Sequence, residues 1–183
     1  MSTSPFSIIA GPASVYIAPV ATAFPDINTT PGASWTYLGF TDGGVKVKHS
    51  QKVELLMADQ DTAPIKAIRS EEGLEVSFDL AQLTLENYRY AMNNATVTTG
   101  SGPAVKRIDL YLGGDVAQHA LLVRGYSAYA AFSSQYQVPI VVQTEEPEVD
   151  FTRTDKSVLK CVFTAIALLD GDPKFGRLVM QTA

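Results

Sequence analysis

Cysteine is almost missing from the chain: Cys161 stands alone among 183 residues, so no disulfide can close within it. That excludes a small scaffold held by cross-links, and Cys161, inside the apolar run 158–168, is expected to act as a small buried hydrophobe. Histidine is nearly as scarce, with only His49 and His119. A hydrolytic triad needs a histidine oriented by a carboxylate beside a nucleophile, and no Gly-x-Ser-x-Gly elbow accompanies either one. Two distant histidines and one cysteine do not make a zinc constellation, and Asp59-Gln60-Asp61 lacks the distal Glu of a calcium loop. The Gly-rich turns lack the Lys-Ser/Thr ending of a phosphate loop. The expectation is a protein that is not an enzyme, with no cofactor and no metal.

Positive charge is also in short supply. Lys plus Arg is 14 against 19 for Asp plus Glu, a formal net charge of -5, and no Lys/Arg run is present. A protein that grips nucleic acid normally brings a basic patch to displace counterions from phosphates, so gripping is not expected here. Charged residues of both signs make up only 18% of the chain, while apolar ones reach 46%. That composition supplies a core and fits surface covered by other subunits. No stretch approaches the roughly 18 consecutive apolar residues of a membrane span, so no membrane binding by this chain is expected. The opening Met1-Ser2-Thr3-Ser4-Pro5-Phe6 has neither the basic start nor the apolar region of a signal peptide.

What is present is mostly period two, the signature of a pleated strand with one buried face. Val45 and Val47 alternate with Lys46 and Lys48; Leu74, Val76, Phe78 and Leu80 alternate with Glu75, Ser77 and Asp79; Ile108, Leu110 and Leu112 alternate with Arg107, Asp109 and Tyr111. The run Val158 to Leu168 is apolar or small throughout and predicts a strand covered on both sides. Further strands are expected at Val15 to Ala18, Trp35 to Phe40, Leu121 to Arg124, Ala128 to Tyr136, Pro139 to Gln143 and Arg177 to Gln181. Turn-like punctuation falls at Asp42-Gly43-Gly44, Gly100-Ser101-Gly102-Pro103, Gly113-Gly114-Asp115 and Asp170-Gly171-Asp172-Pro173. The acidic stretch holding Glu145, Glu146, Glu148 and Asp150 is broken by proline and reads as a solvated loop.

One segment changes period. Thr84 can cap a helix over 84–93, Glu86 complements its positive end, and Leu85, Tyr88 and Met92 fall on one face for packing. Asn93-Asn94 can close it with a left-handed residue. Two segments follow neither period: an N-terminal arm or loop over 1–34, and a long excursion from Gln51 to Ile65 that carries Val53, Leu55, Leu56 and Met57. Apolar side chains on an exposed excursion usually find a partner. The whole chain reads as one mainly β domain, a β-sandwich or barrel with one short flanking helix.

The block from Gly39 to Met92 resembles the major tail tube proteins of long-tailed bacteriophages. The matching order is Leu38-Gly39-Phe40-Thr41-Asp42-Gly43-Gly44-Val45-Lys46-Val47, then Glu54, then Asp59-Gln60 with Pro64-Ile65. It continues through Gly73-Leu74-Glu75-Val76-Ser77-Phe78-Asp79-Leu80 to the helix opener Leu83-Thr84-Leu85-Glu86-Asn87. The resemblance implies a β-sandwich or barrel of which six copies form a ring, with rings stacking into a tube that conducts DNA. It implies that the loop with Val53, Glu54, Leu55, Leu56, Met57, Asp59 and Gln60 reaches the neighbouring ring, and that the strand after it helps build the inner wall. Glu71, Glu72, Glu75 and Asp79 are then the candidates for lumen-facing groups, since an acidic or neutral wall lets DNA slide. The implied partners are further copies of the chain, tape-measure, tail terminator and baseplate proteins, and double-stranded DNA passing without specific contacts. The implied location is the virion tail, after assembly in the cytoplasm of a host bacterium. A different reading of the same β pattern is a virion decoration or carbohydrate-binding module, for which Tyr126, Tyr129, Phe132 and Tyr136 would form an aromatic platform.

Overall fold

The computed structural model describes residues 11–57, 59, 63–93, 97–99, 105–110, 113–129, 132–149, 153, 156–169 and 174–182. Among these, β1 (Ser14–Pro19), β2 (Thr36–Tyr37), β3 (Thr41–Leu56) and β4 (Lys66–Leu80) precede the helix α1 (Leu85–Ala91). The pairs β5 (Thr98–Thr99) and β6 (Lys106–Arg107), then β7 (His119–Tyr126), β8 (Ser133–Gln143), β9 (Leu159–Ala165) and β10 (Arg177–Met180) follow it. The main sheet runs β2-β1-β7-β8-β9-β4-β3, with β10 on the other side of β8, and every pairing is antiparallel. It does not close into a barrel: β3 and β2 remain edges.

β8 is where the sheet divides. Its first half, Ser134 to Val138, pairs with β7 and β10, and its end, Val141 to Gln143, pairs with β9. The register shifts between His119 and Leu121 across from Pro139, which has no N–H to give a ladder. The two halves bury one shared cluster: Val15, Ile17, Leu121 and Val123 from one side, Val76, Phe78, Leu80, Leu159, Cys161 and Phe163 from the other. Phe78 and Phe163 stack with ring centroids 5.8 Å apart. Burial raises the Cys161 thiol to about 12, so it stays a neutral thiol at its place in that core.

The opposite face of β1 and β7 carries a second cluster, Ala18, Trp35, Ala120 and Leu122, with Phe24 packed against it. The segment between β1 and β2 covers it and is strapped down by polar groups. Arg124 donates to the carbonyls of Thr29 (2.6 Å) and Asp26 (2.7 Å), Gln135 to that of Pro25 (3.0 Å), and the Trp35 indole to that of Ala23 (3.1 Å). The region 1–34 is therefore no free arm from Ser14 onward; residues 1–10 lie outside the described residues.

Several sequence expectations shift. The Trp35–Phe40 strand shrinks to β2, and the two segments Ala128–Tyr136 and Pro139–Gln143 merge into one β8 beginning at Ser133. Asp42-Gly43-Gly44 does not reverse the chain: Gly43 and Gly44, at φ 66° and 84°, form a bulge inside β3, two residues without partners between the pairs Asp42↔Asp79 and Val45↔Phe78. The alternating run at Ile108 gives only the two-residue β6, and Leu110 is 70% exposed. β9 is covered mainly on one side, with Lys160 exposed and Thr164 half-buried on the other, although Val162 between them is buried. Tyr111, Leu112, Asn94, Asp61, Asp150, Gly100 to Pro103 and Asp170 to Pro173 lie outside the described residues.

The helix forms where its cap predicts. Thr84 Oγ1 accepts from Asn87 N at 3.3 Å, and Asn93 takes φ 50° just past the end. Its buried residues are Asn87, Tyr90 and Ala91, whereas Leu85, Tyr88 and Met92 are half-buried, with Tyr88 packed against the core. Asn87 spends its amide on two carbonyls, Leu38 O and Gln82 O, both at 2.9 Å. Changing Asn87→Leu keeps the number of side-chain heavy atoms and strands both carbonyls, which should cost on the order of 1–3 kcal/mol for each one left buried, besides the strain of fitting a bulkier group. The urea midpoint should fall with an unchanged slope; a midpoint within error of the native one would show the amide to be dispensable.

A candidate assembly interface

β3 and β4 form a hairpin of 16 and 15 residues, far longer than the body behind it requires. Its inner half is core: Val45, Val47, Leu74, Val76, Phe78 and Leu80 face the main cluster. Its outer half touches no core cluster. Every described residue from Lys48 to Met57 and from Ala63 to Glu72 is exposed. At about 3.3 Å per residue, His49 to Leu56 projects about 25 Å from the body.

This corrects the expectation of a loop from Gln51 to Ile65. Gln51 to Leu56 continues β3, paired from Gln51↔Glu72 to Leu56↔Lys66, and Ile65 N donates to Leu56 O at 2.9 Å where the hairpin closes. Gln60 lies outside the described residues, and Asp59 is exposed at the tip. Ser70 is an extra residue between the pairs Lys52↔Glu71 and Val53↔Arg69, a bulge that brings Arg69 and Glu72 onto one face, where they form an ion pair.

Register assigns each side chain a face, since directly opposed residues share one. Val53 and Leu55 continue the core-side face of the sheet, while Glu54, Leu56 and Ile68 lie on the reverse. The outer arm therefore carries apolar groups on both faces. Leu55, Met57 and Ile65 are 60%, 64% and 61% exposed. β3 is besides a sheet edge, its outward backbone groups without a strand partner among the described residues.

The four candidate carboxylates divide between the faces. Glu71, Glu75 and Asp79 lie on the face away from the core; Glu72 lies on the core-side face, with Gln51 as its partner. The outward face is balanced in charge. Glu71 is opposed by Lys52, their charged atoms 3.1 Å apart; Glu75 is paired in register with Lys48, and Asp79 with Lys160 of β9. Lys46, Lys66, Glu54 and Asp42 complete the set, so five lysines meet five carboxylates on these strands. Asp42, at the inner end of the hairpin, is bound by Lys156 at 2.7 Å, and that hydrogen bond holds its carboxyl below the usual range.

The two histidines sit apart. His49 is exposed at the root of the arm, opposite Leu74, and His119 begins β7. Tyr126 and Tyr129 are each about half exposed, but Phe132 is half-buried and Tyr136 packs against the main cluster, so the four rings do not share one exposed platform.

The family described as Phage tail tube protein matches residues 4–180, the body and the arm together. The chain belongs to that family. It is a structural subunit of a phage tail, and its place is the virion tail among other tail components. No curated protein sequence matches the tail tube chain. Its fold recurs in a chain of the anti-feeding prophage baseplate, solved by cryo-electron microscopy and 6-fold symmetrised. The two are 7% identical, with a TM-score of 0.51, over 98% of this chain and 97% of that one. At that identity the likeness speaks for the fold alone. What the sequence pattern of this tail tube protein left unseen was the arm's strand character and its two-faced apolar tip, which only the register reveals.

Proposed function

We propose that six copies of the chain join edge to edge into a ring, that rings stack into a tube, and that the tube conducts double-stranded DNA. The observation that carries this reading is the hairpin arm: a projecting pair of strands with apolar side chains on both faces and a free β3 edge. Left in water such an edge is a template for pairing with another chain, and a repeated head-to-tail contact closes into a ring or grows into a filament. The sheet β8-β9-β4-β3 would extend into the next copy through β3, while Val53, Glu54, Leu55, Leu56, Met57, Asp59 and Gln60 meet the neighbouring ring. The 6-fold symmetrised baseplate containing the similar chain supports that number.

The outward face of this sheet would be the channel wall. Its five lysines and five carboxylates give it no net charge, so it neither holds phosphates by counterion release nor repels them strongly. Of the four candidate carboxylates, Glu71, Glu75 and Asp79 belong to that wall, and Glu72 to the joint at the arm's root. The role is structural and not enzymatic. Tape-measure, tail terminator and baseplate proteins would meet the tube inside and at its ends, and assembly would take place in the host cytoplasm.

Electron microscopy of the purified protein at high concentration, and of the native particle, tests this reading. Six-fold rings or tubes are expected. A particle in which the arm lies back on its own body, with no shared channel, would sink it.

A further inference from the structure

A cavity of about 360 Å³ opens between the start of α1's last turn, β1 and the entry to β7, away from the hairpin. Arg89, Tyr90, His119, Ser34 and Thr36 line its polar side, and Pro19 its apolar side. Two nitrogens there are buried without a hydrogen-bond partner: Arg89 Nε and His119 Nε2. Both are held in place. The Arg89 guanidinium lies 4.5 Å over the Tyr90 ring and donates to its hydroxyl, and the His119 ring meets Tyr90 edge-on at 5.1 Å and 85°.

Buried donors without partners are rare in folded proteins, and a guanidinium N–H is among the costlier ones to strand. No carboxylate lies within ion-pair distance of Arg89 among the described residues; Glu86, one turn earlier, is engaged by Lys106. Burial, reinforced by the Arg89 charge, keeps the imidazole below its ordinary value and so neutral at pH 7.5, free to present N–H at Nε2. The cavity wall thus holds one fixed positive charge with no anion of its own among the described residues, and the two unpartnered donors lie covered just behind it. A carboxylate has the matching chemistry: its charge suits the guanidinium, and a turn of either side chain would bring an unpartnered N–H onto one of its two oxygens.

We propose that this cavity is a carboxylate-binding site, filled by a small carboxylate in the free subunit or by an acidic side chain of another subunit in the assembled tail. The site itself does not depend on the ring reading, because its first test uses the free chain. With 15N-labelled histidine, sodium acetate titrated against sodium chloride at constant ionic strength and pH 7.5 should move the His119 ring signals along a saturating curve. R89Q should weaken acetate binding at least about tenfold, and R89K, which keeps the charge but loses the fork, should fall between. Should R89Q fold poorly by circular dichroism, H119Q provides the same comparison, read by calorimetry with acetate. In assembled protein, loss of the acetate response assigns the site to a neighbour's carboxylate, and a retained response assigns it to a free one. A linear drift identical to chloride, or a native response in a folded R89Q protein, would overturn the proposal and leave a cavity that holds only water.

Discussion

A subunit in which Gln51 to Glu72 is replaced by a two-residue Asn-Gly turn should fold as a monomer and form no tubes. The cut joins Ser50 to Gly73, which are already partners in register, and Asn-Gly supplies the turn type that suits the twist of two paired strands. None of the removed side chains belongs to either core cluster, and all the described ones are exposed. Thermal melting should consequently shift by no more than a few degrees, in the range of surface changes of about 0.5 kcal/mol. Assembly should respond in the opposite way. A full-length L55E/M57E double variant is the milder form of the experiment, and it should raise the concentration needed for tube growth at least about tenfold, equivalent to about 1.4 kcal/mol per subunit. Sedimentation velocity and electron microscopy read both. Normal tubes from the trimmed chain would remove the arm from the assembly mechanism altogether.

The second large effect lies in the core. Phe163 is fully buried on the inward face of β9, stacked on Phe78 of the adjacent strand. Phe163→Ala removes that stacking and leaves a cavity bounded by both halves of the sheet, which should cost about 3–5 kcal/mol. Against a total of about 5–15 kcal/mol for a domain, that is a third or more of the stability at the middle of the range, and at its lower end it leaves a measurable unfolded fraction. Denaturant titration should show the midpoint falling at constant slope. A loss under 1 kcal/mol would mean that the two halves collapse together and refill the space, and that the core tolerates more plasticity than its packing suggests.

These two regions also mark what could and could not be read from the residues. The strand from Leu74 to Leu80 was legible because burial on one face forces an alternation of chemistry, and the run at 158–168 because it is apolar throughout, although β9 proves to be covered mainly on one side rather than on both. The outer arm was illegible as strand for the converse reason. With neither face against a core, nothing constrains Gln51 to Met57 to alternate, and apolar side chains accumulate on both sides until period two is lost. Thr84 announced the helix, but not the face that docks: hydrophobic spacing points to Leu85, Tyr88 and Met92, while the helix inserts Asn87 to satisfy the Leu38 and Gln82 carbonyls. A buried amide with two jobs leaves no trace in a pattern of greasy residues. Glu72 was separable from the other three carboxylates by parity alone, since it shares its face with Leu74 and Val76. The Arg89 and His119 cavity had no linear signature, because its walls come from β1, the turn before β2, α1 and β7.

The opposed lysines and carboxylates on the outward side of β3, β4 and β9 have one more consequence if that side lines a duct. Neighbouring strands sit about 4.8 Å apart, so the sign of the field reverses over a span shorter than the roughly 8 Å Debye length of physiological saline. Mobile ions then have little left to neutralise. Transit of a polyanion past such a mosaic should vary hardly at all between dilute and concentrated salt, which would let one conduit work in waters of very different salinity.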